Sequence, residues 1–255
     1  MEHSYGQGPG IARRRWISLY RKAASRLERS KRVTLYRDRF EAGRILATQL
    51  RAYANRKDVL VLALPRGGVP VAFEVARALH APLDVFVVRK LGVPGHEELA
   101  MGALATGGMT VINEDVVFRL DIPDDVIVKV AAREQKELER RERLYRDDLP
   151  PPDVRDRTVI LIDDGLATGS TMRAAVAALS KQRPARIVVA VPVAAPVTCD
   201  EFKEVADETI CASTPEPFFG VGYWYEDFSQ TSDEEVHDLL ALSRQENPLE
   251  EANNQ

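Results

Sequence analysis

The chain has 255 residues, 45% hydrophobic and 29% charged, enough apolar material for one sizeable globular core. Its longest apolar run, 187–197, is broken by Pro192 and Pro196 and falls short of the roughly 18–20 residues of a membrane span. No apolar leader opens the sequence, so a cytoplasmic protein without a membrane span is expected. The net charge of −4 conceals an asymmetry: residues 1–34 hold nine Lys and Arg against two acids, and the rest hold 26 bases against 37 acids.

In chain order, residues 1–10 are small and polar and predict disorder. Over 13–29, Trp16, Tyr20, Ala23 and Leu27 follow a helical spacing, so residues 1–34 form a basic tail, disordered or helical. Such a segment either binds an anionic membrane, RNA or acidic partner, or is a tail that packs on the body or frays, and the second is the simpler reading. One domain is expected over 35–245 and a disordered tail over 246–255. A helix is predicted over 40–53. VLVLAL (59–64) is a short buried strand, Gly67-Gly68 breaks it, and 69–80 is the next helix. LDVFVVRK (83–90) is a second buried strand, which completes a βαβ unit and argues for a parallel sheet. The glycine-rich stretch 91–108 reads as a loop with at most a short hairpin in it. Residues 124–147 form a long charged helix with a solvated face, capped by Asp124 and ended by Pro150 to Pro152.

The alternation then resumes. Strands are predicted at 158–163, 186–192 and 208–212, with helices at 170–182 and about 198–206. Ser232 with Glu235 makes a capping box for a final helix to about residue 243. The expected fold class is α/β, a doubly wound and mainly parallel sheet, with no second globular domain. Cys199 and Cys211 lack metal-like spacing and a nearby histidine, and are read as reduced thiols.

The chemistry concentrates in TVILIDDGLATGSTM (158–172). Ligands of open parallel sheets bind beyond the carboxyl ends of the strands, where Asp163 and Asp164 stand. Behind them, Ala167, Thr168, Gly169, Ser170 and Thr171 lead into a helix N-terminus. Backbone N–H groups, three hydroxyls and the helix dipole make a phosphate cradle there. Carboxylates repel phosphate but accept hydrogen bonds from sugar hydroxyls. The combination fits a ribose 5′-phosphate. A P-loop is excluded because 163–172 contains no lysine, and GxGxxG follows neither strand.

VILIDDGLATGST resembles the motif by which type I phosphoribosyltransferases bind 5-phosphoribosyl 1-diphosphate (PRPP), and the resemblance extends over roughly 36–212. With ALPRGG (63–68), RKLGVPGHEELAMGA (89–103) and GVGYWYEDFSQ (220–230), the layout resembles a bacterial group usually called "putative phosphoribosyltransferases". The resemblance implies an Mg²⁺-dependent glycosyltransferase that moves phosphoribosyl from PRPP to a nitrogenous base or related acceptor. Mg²⁺ would be bound mainly through PRPP, without a dedicated protein metal site. In that reading Asp163 and Asp164 serve catalysis with Arg89 and Lys90, and 167–171 binds the 5′-phosphate. Arg66, Gly67 and Gly68 bind pyrophosphate, with a cis peptide at Pro65–Arg66. Residues 91–110 would be a mobile lid, with His96, Glu97 and Glu98 its titratable groups, inside a flexible loop and helical insert spanning 91–152.

The acceptor would lie under a small hood built from the chain termini, including the aromatic segment and helix of 213–245. There Phe218, Phe219, Tyr223, Trp224 and Tyr225 either stack a flat base or pack the last helix on the sheet. None of the local motifs of hypoxanthine, adenine, uracil or orotate enzymes is present, so the acceptor stays open. A homodimer is the family default. The alternative is a PRPP-sensing regulator that binds nucleic acid or a partner through the basic tail. That reading is disfavoured because the pyrophosphate loop is retained and the body is acidic. A phospho-acceptor receiver domain would share the acid pair but would not need ATGST.

Overall fold

The computed structural model describes residues 35–147 and 149–248. The basic segment 1–34, with its expected helix over 13–29, and residues 249–255 of the expected tail lie outside the described residues. In chain order the elements are α1 (Arg39–Gln49), β1 (Val59–Ala63), α2 (Gly68–Leu79), β2 (Leu83–Val85), β3 (Val88–Val93), β4 (His96–Ala105) and β5 (Met109–Ile112). They continue with α3 (Glu114–Arg119), α4 (Asp124–Arg146), β6 (Thr158–Ile162), α5 (Ser170–Ser180), β7 (Arg186–Val193), α6 (Pro196–Phe202), β8 (Glu208–Ser213) and α7 (Asp233–Glu246).

Five strands form a parallel sheet in the order β2-β1-β6-β7-β8, so the α/β expectation holds. Side chains alternate across a strand, and the two faces of this sheet carry separate cores. Val59, Val61, Ile160, Ile162 and Val188 point into one, with α2 and Leu240 of α7. Leu60, Leu62, Val159, Leu161 and Val189 point into the other, with Met172, Val176 and Leu179 of α5. Near-continuous apolar strands are what burial on both faces requires. No helix among the described residues is long and apolar enough to cross a membrane.

The segment 83–108 departs from expectation. The strand predicted over 83–90 breaks after Val85, and 91–108 is not a loop but most of a three-stranded antiparallel sheet, β3-β4-β5. Leu91, Val93, Met101 and Ala103 are buried, while Gly95, Gly107 and Gly108 sit at positive φ where the chain reverses. The glycines that suggested a loop are therefore turn residues between strands.

The charged helix α4 also differs. Pro123, not Asp124, is its N-cap, and its face toward the protein buries Val130, Glu134, Leu138, Tyr145 and Arg146. Arg146 Nε meets both oxygens of Asp84 at 2.9 and 3.1 Å, and its Nη2 donates to the Val85 carbonyl at 2.6 Å. At the far end the expected cap is present, Ser232 accepting from Glu235 N–H at 3.0 Å to start α7.

Cys199 and Cys211 are joined in a disulfide, against the expectation of two reduced thiols. The reason is tertiary: α6 packs on β8 and brings the two Cα atoms to 6.5 Å. Because the bond closes a loop of sequence separation 12, reduction by a dithiol should lower stability. The expected loss is about 2–3 kcal/mol. Urea unfolding of the oxidised and reduced protein checks this, and superimposable curves would show that the tether contributes nothing.

Candidate active site

β6 is the middle strand of the parallel sheet, buried along its whole length, and it ends at Ile162. Asp163 and Asp164 follow at its carboxyl edge, both only partly exposed. Asp163 Oδ1 accepts the Asp164 N–H at 2.8 Å, which fixes the first carboxylate against its own backbone. Asp164 is held from outside the strand. Arg39, in the first turn of α1, places Nε at 2.9 Å and Nη2 at 2.8 Å from Asp164 Oδ2. The Tyr225 hydroxyl donates to the Asp164 carbonyl at 2.7 Å. Burial, and next the Asp164 charge, push the Asp163 carboxyl well above the usual carboxylate range. Burial also raises Asp164, against the pull of Arg39. Burial drives the Tyr225 phenol far up, so it stays a neutral donor.

The loop after the acids is pinned at its back. Leu166 N–H donates to the Val193 carbonyl and Ala195 N–H to the Leu166 carbonyl, both at 2.9 Å. Thr198 Oγ1 donates to the Ala167 carbonyl at 2.6 Å. Gly169 caps α5 in the left-handed region at φ 68°, and a Cβ there would lie 2.4 Å from the Phe202 ring. Only glycine lets the chain turn this sharply against α6. Thr168 and Ser170 hydroxyls are 3.1 Å apart, and Thr168, Ser170 and Thr171 lie at the start of the 11-residue α5, with Ser170 and Thr171 exposed. The unpaired N–H groups of a first helical turn and its dipole favour an anion at this point.

The glycine pair lies directly beside the acids. A Cβ on Gly67 would come within 2.1 Å of Asp164 Oδ2, and one on Gly68 within 2.7 Å of the Ile162 carbonyl. Gly68 N–H already donates to the Leu64 carbonyl at 3.1 Å, so the contribution of Gly68 is close approach rather than a donor. The Pro65–Arg66 peptide is cis, as the resemblance implied. Arg66 is half-exposed at the rim, with Nη1 3.8 Å from Asp233.

Alternation along β3 sends Arg89 and Lys90 to opposite faces. Arg89 is bound to Glu134 of α4 through Nε and Nη2 at 3.0 and 2.6 Å. Lys90 instead lines a cavity of about 690 Å³ that also touches Ser170, Thr171 and Asn113, so it shares a space with the start of α5. Of the aromatic residues, Trp224 is buried, while Phe219 is 65% exposed and stacks obliquely on Tyr223 at 4.9 Å. Phe218 is half-buried. The segment does reach the site: Val221 fills the space beside Gly165, and the 36–37 backbone pairs with 224–227.

A model of the phosphoribosyl transferase domain matches residues 33–227, three-quarters of the chain and every element just described up to Tyr225. The chain belongs to the phosphoribosyl transferase family. Two Mycobacterium tuberculosis proteins, from strains CDC 1551 and H37Rv and each named "Putative phosphoribosyl transferase", are 45% identical over 204 residues. That alignment covers 80% of this chain and 46% of theirs, so the chain spans about half the length of these curated relatives. The crystal structure of TT1426 from Thermus thermophilus is 41% identical, with a TM-score of 0.72 over 80% of this chain and 97% of that one.

Within the family fold, Arg39 is the site residue that sequence reasoning missed. Asp38, which accepts the Glu41 N–H at 2.7 Å, marks the helix start and puts Arg39 in the first turn. That much is a local signal. Its target lies 125 residues away, and nothing local names it.

Proposed function

We propose that this phosphoribosyl transferase domain moves 5-phosphoribosyl from PRPP to a nitrogenous base or related acceptor, releasing pyrophosphate. The observation that carries the reading is the adjacency of the Asp163–Asp164 pair and the 167–171 turn at the edge of the middle strand, with Gly67 packed against Asp164. The carboxylates accept hydrogen bonds from the ribose hydroxyls, and the helix start takes the 5′-phosphate. In this reading Arg66 at the rim and Lys90 in the cavity beside Ser170 and Thr171 serve the pyrophosphate. Charge develops on the leaving pyrophosphate and on the ribosyl ring as the bond breaks. The residues' work is positioning and electrostatic stabilisation, with no nucleophilic side chain required.

Among the described residues no cluster of three or more His, Cys, Asp or Glu could hold a metal ion. The donor set at the site is the two carboxylates, which suits Mg²⁺ carried largely by the substrate's own oxygens. When bound, Mg²⁺ would neutralise charge on the pyrophosphate. The test is calorimetric titration of PRPP with and without Mg²⁺, followed by a screen of bases for pyrophosphate release. Mg²⁺-dependent binding is expected, and the absence of binding by the folded protein would overturn the assignment.

A further inference from the structure

Arg39 is tied at every nitrogen. Nε and Nη2 hold Asp164 Oδ2 at 2.9 and 2.8 Å, Nη1 donates to the Ser229 carbonyl at 2.7 Å, and the guanidinium lies 3.9 Å over the Phe228 ring. Its side chain is only 11% exposed. Two of these anchors come from the C-terminal aromatic segment and the third is the acid itself. A surface ion pair would contribute little and would not be built this way. Here the planar guanidinium fixes which way one carboxylate faces, while Gly67 closes the remaining side of Oδ2.

We infer that Arg39 is a positioning residue: it immobilises Asp164 through Oδ2, leaves Oδ1 as the oxygen offered to a ribose hydroxyl, and makes that geometry depend on the C-terminal segment. This deepens the PRPP reading and rests on it. Substrate recognition is thereby coupled to the packing of residues 225–229, which a sequence comparison of the acid motif alone would not reveal.

The experiment measures PRPP affinity by calorimetry with Mg²⁺ for wild type, Arg39→Met and Arg39→Lys, beside thermal melts and crystal structures of the two variants. For Arg39→Met we expect affinity about 10–100-fold weaker, the loss of about one charge-assisted contact, with the Asp164 carboxylate turned away from its wild-type position. Arg39→Lys keeps the charge but not the fork and should fall between the two, and it carries the same test if Arg39→Met does not fold. A folded Arg39→Met protein with wild-type affinity overturns the inference. If wild type itself binds no PRPP, the phosphoribosyl reading fails. The variant structures then still decide the role of Arg39, since an Asp164 carboxylate placed as in wild type would overturn it.

Discussion

Replacing Asp163 and Asp164 together by asparagine should abolish measurable PRPP binding while leaving the fold in place. Two hydrogen bonds to charged acceptors contribute about 1.5–3 kcal/mol each, so the expected loss is roughly 10²–10⁴-fold in affinity. The two acids should not behave alike. Asp163 holds the Asp164 N–H through Oδ1, and an asparagine oxygen can keep that bond, so Asp163→Asn reports on the ligand alone. Asp164→Asn also takes the carboxylate from Arg39, whose remaining polar contact is the Ser229 carbonyl, so it should lower stability as well as affinity. Calorimetry with Mg²⁺, read beside circular dichroism and thermal melts of each variant, separates the two effects. A folded double variant that binds PRPP like wild type would remove the acids from the site and leave the ATGST turn in search of another partner.

Arg146→Met should be among the most destabilising substitutions in the protein, although it lies away from the acids. Arg146 is 1% exposed and Asp84 3% exposed in the interior between α4 and β2; Arg146 is the ion-pair partner of Asp84 and also pairs with Glu142 at 3.0 Å on its own helix. Removing one member of a buried ion pair leaves the other charge unpaired and costs about 3–5 kcal/mol. Burial raises the Asp84 carboxyl above its ordinary value, while Arg146 pulls it back. In Arg146→Met that pull is gone and Asp84 protonates more readily. The stability deficit should therefore be largest at neutral and higher pH and shrink as pH falls through the raised carboxyl pKa. Urea unfolding of wild type and Arg146→Met at two pH values tests both parts. The double change Arg146→Met with Asp84→Leu should recover much of the loss, because a well-packed apolar pair replaces the ionic one. A single variant within about 1 kcal/mol of wild type would show that the pair is not a structural support.

These two predictions illustrate different degrees of legibility. The acid pair and the hydroxyl-bearing turn fall within nine residues, 163–171, and the chemistry proposed for them follows from the order strand, acids, glycine, hydroxyls and helix. The alternation of apolar strands and helices was equally readable, because each element's periodicity is set by its own residues. The cavity-lining place of Lys90 and the pairing of Arg89 with Glu134 were not separable in sequence. Both are basic residues on one strand, and only the packing of α4 against β3 shows that Glu134 claims the first. Residues 91–108 were misread for a related reason. Glycines mark turns as well as loops, and the partner strands that make them turns are paired across the hairpin.

Contiguous residues were enough for the α/β class, the parallel sheet, the acid pair at the end of a core strand and the family to which they belong. Long-range packing supplied what those stretches could not. It brought Arg39 onto Asp164 across 125 residues, Arg146 onto Asp84 across 62, and Cys199 onto Cys211. A guanidinium, carboxylate or thiol has no periodic signature that names its partner. Which groups meet is fixed only when helices α1, α4 and α6 pack against the sheet and exclude water, leaving each buried polar group to be matched by another.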